Sequence, residues 1–174
     1  MPPCISFHAP HGRDLTNNWW ETFSIKFGKL LTDFQKKCPI ITVENMPDFI
    51  GFYNPLKDPE DLKSFTELYD LGITFDTTHY AEIGINIVDT LKILNKNIRT
   101  IHLSDFSDEG SHLLIGEGDI NWKDFFKNLN YSNLHTITLE CSMANKMKSI
   151  FKMTKSELIA RLIKAKTRLT DYLK

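Results

Sequence analysis

Five short apolar runs in this chain each end in a side chain able to ligate a cation. CISF runs into His8, ITV into Glu44, ITF into Asp76, TI into His102 and TITL into Glu140. One such placement arises readily by chance; five in succession restrict the fold. In a barrel of parallel strands, the residues at the carboxyl ends share one mouth, and catalysis occurs there. Two glutamates, an aspartate and a histidine meeting at that mouth make a nitrogen/oxygen cation site.

The segments between the runs have helical period. Trp20, Phe23, Phe27, Leu30, Leu31 and Phe34 recur at three- and four-residue steps, the apolar stripe of one helix. Asn18 with Glu21 resembles a capping pair. A second helix is predicted from Asp58-Pro59-Glu60, with Leu62, Phe65 and Leu68 inward and a stop before Gly72. A third is expected over roughly 85–95, and a short fourth after Asn121 on Trp122, Phe125, Phe126 and Leu129. The last opens on a capping box, Thr154 with Glu157, and runs to the chain end.

Strand and helix thus alternate five times, the order of parallel strands joined by crossovers. The strands are apolar almost throughout, as expected when both faces are covered. The five end residues are spaced 36, 32, 26 and 38 positions apart, against about 31 residues per unit in an eight-unit barrel. The fold class expected is α/β: a parallel TIM-barrel type, incomplete, holding the last five βα units. Residues 1–174 are expected to form one domain, with the first three strands missing. Such a barrel would leave two open sheet edges and an exposed core face.

Charge sorts the partners. With 21 basic and 22 acidic residues the net charge is −1, so no basic surface for nucleic acid is expected. Three cysteines, Cys4, Cys38 and Cys141, are an odd number without CxxC spacing, which suits a reducing cytosol better than a disulfide framework. No apolar run approaches the ~18 residues of a membrane span, and the first residues lack a signal peptide's apolar stretch. A soluble, cytoplasmic protein is expected.

Each candidate has a plainer explanation. A buried acid in ITVEN or ITLEC could cap a helix or accept an ion pair, but a charge closing an apolar run needs a partner or a metal. Asp76 and His79 form D-T-T-H in one loop, where Asp76 could be a cap and His79 a solvated side chain. In H-L-S-D, alternation puts His102 and Ser104 on one side, leaving Asp105 to orient a ligand from behind. His112, in a glycine-punctuated loop, is a ligand or substrate contact if the other candidates converge. His8 points to the mouth by the same logic. His11 is expected on a surface loop, His135 at the opposite barrel end, and Cys141 as a packing residue.

The motifs V-E-N-M-P, F-D-T-T-H, I-H-L-S-D, H-L-L-I-G-E-G-D-I-N-W and T-L-E, in this order from about His8 to Glu140, resemble the xylose-isomerase-like TIM-barrel superfamily. That superfamily contains sugar isomerases and epimerases and the endonuclease IV type of apurinic/apyrimidinic endonuclease. The resemblance implies a central metal held by Glu44, Asp76, His102 and Glu140 at the last four strands, with His8 on the strand before them. The endonuclease pattern has an aspartate two residues before the histidine matching His112; here that position is Gly110. The upstream histidine that endonucleases use for another zinc falls on the strands that are missing.

Two reaction classes follow. As an isomerase or epimerase, the protein would bind a small sugar on one Mn²⁺, Mg²⁺, Co²⁺ or Zn²⁺ ion that polarises the carbonyl. Glu44 and Glu140 are then the catalytic pair, exchanging the proton on the adjacent carbon, while His79, His112 or His8 contacts substrate or a second metal. The alternative is a zinc-dependent endonuclease hydrolysing a phosphodiester at an abasic site. A second alternative is an inactive or partial barrel that acts only with a partner, as a homo-oligomer or with a complementing chain.

Overall fold

The protein is described here by a computed structural model covering residues 4–13, 19–142 and 153–173. Among these residues, seven strands and six α-helices run in the order β1 (Cys4–His8), α1 (Trp19–Gln35), β2 (Ile40–Glu44), α2 (Pro59–Leu68), β3 (Gly72–Asp76), α3 (Thr77–Glu82), α4 (Ile87–Leu94), β4 (Ile98–Leu103), β5 (Asp105–Ser107), β6 (Gly110–Leu113), α5 (Trp122–Asn128), β7 (Thr136–Leu139) and α6 (Lys155–Tyr172). β1, β2, β3, β4 and β7 form one sheet in that order, and every pairing is parallel. The five-unit incomplete barrel is therefore present, and no described helix is long and apolar enough to cross a membrane.

The caps explain the helix starts. Asp58 accepts from the Glu60 amide at 2.9 Å, with Pro59 in the first turn of α2. Thr154 and Glu157 form the expected capping box of α6. Asn18, expected to cap α1, lies outside the described residues. Two elements were not foreseen. D-T-T-H is not an open loop but the start of α3, because the Asp76 side chain caps it. The predicted third helix begins two residues late, at Ile87, because Asn86 accepts from the Val88 and Asp89 amides. The β5–β6 hairpin, outside the main sheet, is the other addition.

The pleat alternates more sharply than the apolar runs suggested. Ile41, Val43, Ile73, Phe75, Ile101 and Leu103 are buried in the core beneath the helices. The intervening positions carry small hydroxyls and a thiol that meet each other. Ser6 Oγ donates to Thr74 Oγ1 at 2.8 Å, Thr42 and Thr74 share a 2.7 Å bond, and Cys4 Sγ lies 3.4 Å from Thr100 Oγ1. β1 touches β3 and β4 this way although it pairs only with β2, so these residues line the concave face of a curled sheet. The exposed core face expected from sequence is replaced by a hydroxyl layer; Thr136 and Thr138 of β7 continue its alternation and are exposed. Bulky aliphatics are the usual filling of such a barrel. No strand among the described residues pairs with the outer edge of β1 or β7.

Candidate metal centre

Register brings the five strand ends together. His8 pairs with Glu44, Asp76 with His102, and the Glu140 amide donates to Leu103 at 3.0 Å just past β4. All five therefore lie at the carboxyl end of one sheet. Glu44, Asp76, His102 and Glu140 each offer one ligand atom, and these atoms lie within 4.8 Å of one another. An ion bound at ~2.0–2.2 Å from four such ligands needs separations of this order.

The electrostatics match the geometry. Glu44 is 1% exposed and Asp76 fully buried. Glu44 Oε1, Asp76 Oδ2 and His102 Nδ1 are buried without a hydrogen-bond partner. His102 Nδ1 sits 2.6 Å from Glu140 Oε2 and 3.3 Å from Glu44 Oε2, close contacts without a hydrogen bond's alignment. Buried polar atoms are nearly always paired, and three orphans aimed into one cluster are what a bound cation would satisfy. Burial pulls the His102 imidazole down, but the charges of Glu44, Glu140 and Asp76 outweigh it and hold the pKa above its ordinary value. Burial, with the Glu44 charge adding to it, raises the Asp76 carboxyl, against the opposing effect of His79 and His112. Carboxylates with one imidazole suit Mg²⁺, Mn²⁺, Co²⁺ or Zn²⁺ better than copper.

The remaining histidines ring this cluster. His8 is 68% exposed, with Nε2 3.7 Å from Glu44 Oε2. His79 is buried; its Nδ1 donates to the Asn45 carbonyl at 2.8 Å and lies 3.5 Å from Glu44 Oε1. The His112 ring stands edge-on to His79, centroids 5.4 Å apart. His11 stays in its loop, 2.9 Å from the Pro47 carbonyl. The His135 amide donates to Arg99 at the other end of β4, and Cys141 packs half-buried against the core.

Asp105 is a correction. It was expected to orient a ligand from behind, yet its carboxylate accepts from the Phe106, Gly116 and Ile120 amides and from Trp122 Nε1, at 2.7–3.2 Å. Four donors, all from the 106–122 segment, occupy both oxygens, so Asp105 organises that loop rather than an imidazole. A Cβ on Gly118 would fall 2.4 Å from the Phe106 carbonyl and 2.5 Å from Asp105 Oδ1; only glycine lets the loop wrap so closely.

Residues that sequence reasoning passed over hold the candidate ligands in place. Asn45 grips the Asp76 backbone from both sides, accepting from its amide at 2.7 Å and donating to its carbonyl at 3.1 Å. Thr77 Oγ1 donates to the Ser104 carbonyl at 2.7 Å and accepts from its amide at 3.1 Å, which ties α3 to the end of β4. The only signal for Asn45 was its position directly after the candidate ligand Glu44.

Residues 3–162 match a family model described as xylose isomerase-like TIM barrel. An uncharacterized protein of Methanocaldococcus jannaschii is 41% identical over 96 residues, 53% of this chain and 36% of that protein. Among solved structures, a xylose isomerase domain protein from Planctomyces limnophilus superposes with a TM-score of 0.65 at 19% identity, covering 98% of this chain and 58% of that one. D-psicose 3-epimerase from Clostridium cellulolyticum H10, solved with D-tagatose, gives a TM-score of 0.69 at 13% identity, covering 92% and 60%. At these identities the structural likeness speaks for the fold alone, and this chain spans about three fifths of the solved chains' length.

Proposed function

Since this chain belongs to the xylose isomerase-like TIM barrel family, we propose that it is a divalent-metal-dependent isomerase or epimerase acting on a sugar or sugar-like substrate. The observation that carries the reading is the Glu44, Asp76, His102 and Glu140 cluster, with its three buried, unpartnered ligand atoms. The sugar epimerases among its structural neighbours support the substrate class.

A bound Mn²⁺, Mg²⁺, Co²⁺ or Zn²⁺ ion would supply Lewis-acid polarisation of the substrate carbonyl. The chain's own residues do the rest. Glu44 ends β2 and Glu140 directly follows β7, with β3 and β4 between them in the sheet, which lets them flank a bound substrate. One removes the proton on the carbon beside the carbonyl and the other returns one. His79 and His112 donate through Nδ1 to the Asn45 and Glu140 carbonyls, which leaves Nε2 of each for a contact with a sugar hydroxyl. The test is solvent exchange: protein loaded with Mn²⁺, in D₂O, incorporates deuterium beside the carbonyl of at least one of a panel of ketoses. No incorporation into any of them overturns the reading. Retained Mn²⁺ with no turnover points instead to a partial barrel that needs a partner chain.

A second reading has one observation in its favour. Three further imidazoles, His8, His79 and His112, surround the four-residue cluster, with His8 Nε2 3.7 Å from Glu44. That surplus suits a cluster of zinc ions that activates water toward a phosphodiester. Gly110 in place of a carboxylate and the net charge of −1 weigh against it. EDTA-sensitive nicking of an abasic-site duplex would favour this endonuclease reading over the first.

A further inference from the structure

We propose that Ser104 and Thr78 are positioning residues that hold the His112 imidazole in a single tautomer. His112 Nδ1 lies 3.2 Å from the Glu140 carbonyl oxygen and 3.2 Å from Ser104 Oγ. A carbonyl only accepts, so Nδ1 carries the proton and shares it between both oxygens. Ser104 Oγ, accepting from His112, is 2.7 Å from Thr78 Oγ1, which in turn lies 3.4 Å from the Asp105 carbonyl. Thr78 can only donate to that carbonyl, and with its proton so placed the hydroxyl protons run one way. His112 donates to Ser104, Ser104 to Thr78, and Thr78 to Asp105.

Two features mark this relay as a device for His112. Ser104 and Thr78 are both fully buried and their hydroxyls face each other between α3 and the end of β4, where valine or alanine would pack without polar atoms. His112 itself has φ = 50°, a left-handed conformation uncommon outside glycine. The consequence is that, in the neutral ring, Nε2 is the accepting nitrogen. Free imidazole in water interconverts between two tautomers; here the Glu140 carbonyl disfavours the Nε2–H form directly, and Ser104 adds to it once its own proton is committed to Thr78. His79 reaches the same state by a different route, through the Asn45 carbonyl alone.

The kinetic consequence rests on the isomerase reading, but the tautomer is measurable without turnover. The experiment is two-bond ¹H–¹⁵N correlation of the imidazoles in ¹⁵N-labelled full chain, at one pH above the imidazole range, with His112 assigned from a His112→Gln spectrum. Wild type is expected to show His112 purely as the Nδ1–H form. Ser104→Ala and Thr78→Val move it toward the Nε2–H form, Thr78→Ser restores it, and His79 keeps its pattern throughout. Where turnover is available, kcat falls about tenfold in both variants with KM unchanged, the pattern of a misdirected group rather than a lost substrate contact. The proposal is overturned if folded Ser104→Ala or Thr78→Val leaves His112 as Nδ1–H. Should neither variant fold, a wild-type spectrum with the proton on Nε2 overturns it equally. Absence of any sugar turnover would sink the isomerase reading and leave the tautomer result standing.

Discussion

Asp76 uses its two carboxylate oxygens differently. Oδ1 accepts the His79 amide at 2.9 Å and starts α3, while Oδ2 is buried in the cluster without a partner. In the sequence, helix cap and metal ligand were rival explanations of one residue; in space they are compatible, because D-T-T-H places the helix start at the strand end. The two roles separate by substitution. Asparagine caps as well as aspartate, so Asp76→Asn is expected to keep the apo protein's melting temperature and lose bound Mn²⁺ on dialysis. Asp76→Ala should lose the metal and also about 1 kcal/mol of apo stability, read by urea unfolding. An Asp76→Asn protein holding a full equivalent of Mn²⁺ would remove this residue from the ligand set. His102 sets a pH dependence. Its folded-state pKa is raised by the surrounding carboxylates, so its contribution to apo stability is full below ~6.5 and disappears as pH rises through the folded value. A cation must displace the same proton. Apparent metal affinity is thus expected to climb with pH, by up to about tenfold per unit, and to level off above the raised value. Calorimetry in buffers of different ionisation enthalpy should detect the released proton; binding with no proton release below the plateau contradicts the assignment.

At the scale of elements, the strand ends were legible because each candidate ligand closes an apolar run, and barrel strands repeat at about 31 residues. α3 and the β5–β6 hairpin were not, since elements of six, three and four residues carry too little periodicity to register. Asp105 shows the same limit. Its neighbours in sequence, His102 and Ser104, suggested a supporting role toward a ligand, whereas its partners come from 106, 116, 120 and 122. Alternation along a strand reports which way a side chain faces, and cannot report which distant amides converge on it. Removing this carboxylate orphans four donors, each worth ~1–3 kcal/mol when buried and unpaired. Asp105→Ala is therefore expected to destabilise the protein by more than ~3 kcal/mol in urea unfolding. Trp122→Phe, losing one donor to Asp105 Oδ2, should cost about 1–2 kcal/mol. A change below ~1 kcal/mol for Asp105→Ala would show that the loop does not depend on it.

Across the whole molecule, the cluster joins four strands of one sheet, from β2 to β7, and the unfolded chain has no equivalent site. Cation binding then adds to folding stability by mass action, about 2.7 kcal/mol at a hundred times Kd. EDTA is expected to lower the melting temperature of metal-loaded protein. Glu140→Ala should abolish that difference at little cost to the apo form, since the Glu140 side chain is 47% exposed. A melting temperature indifferent to EDTA, in protein shown to hold metal, would mean the ion does not bridge the strands. The concave face revises a further expectation: its small residues bond to each other, so the open side of the curled sheet does not present an aliphatic core. The amino-acid sequence by itself determined the alternation of strand and helix, the parallel sheet and the identity of the four converging side chains, because periodicity and strand-end position are local properties written at fixed spacing. Only the tertiary structure decided that Asn45, Ser104 and Thr78 brace the site, that Asp105 serves the loop, and that hydroxyls line the inner face. Those outcomes depend on hydrogen bonds between residues far apart in the chain, whose distances exist only once the sheet has curled.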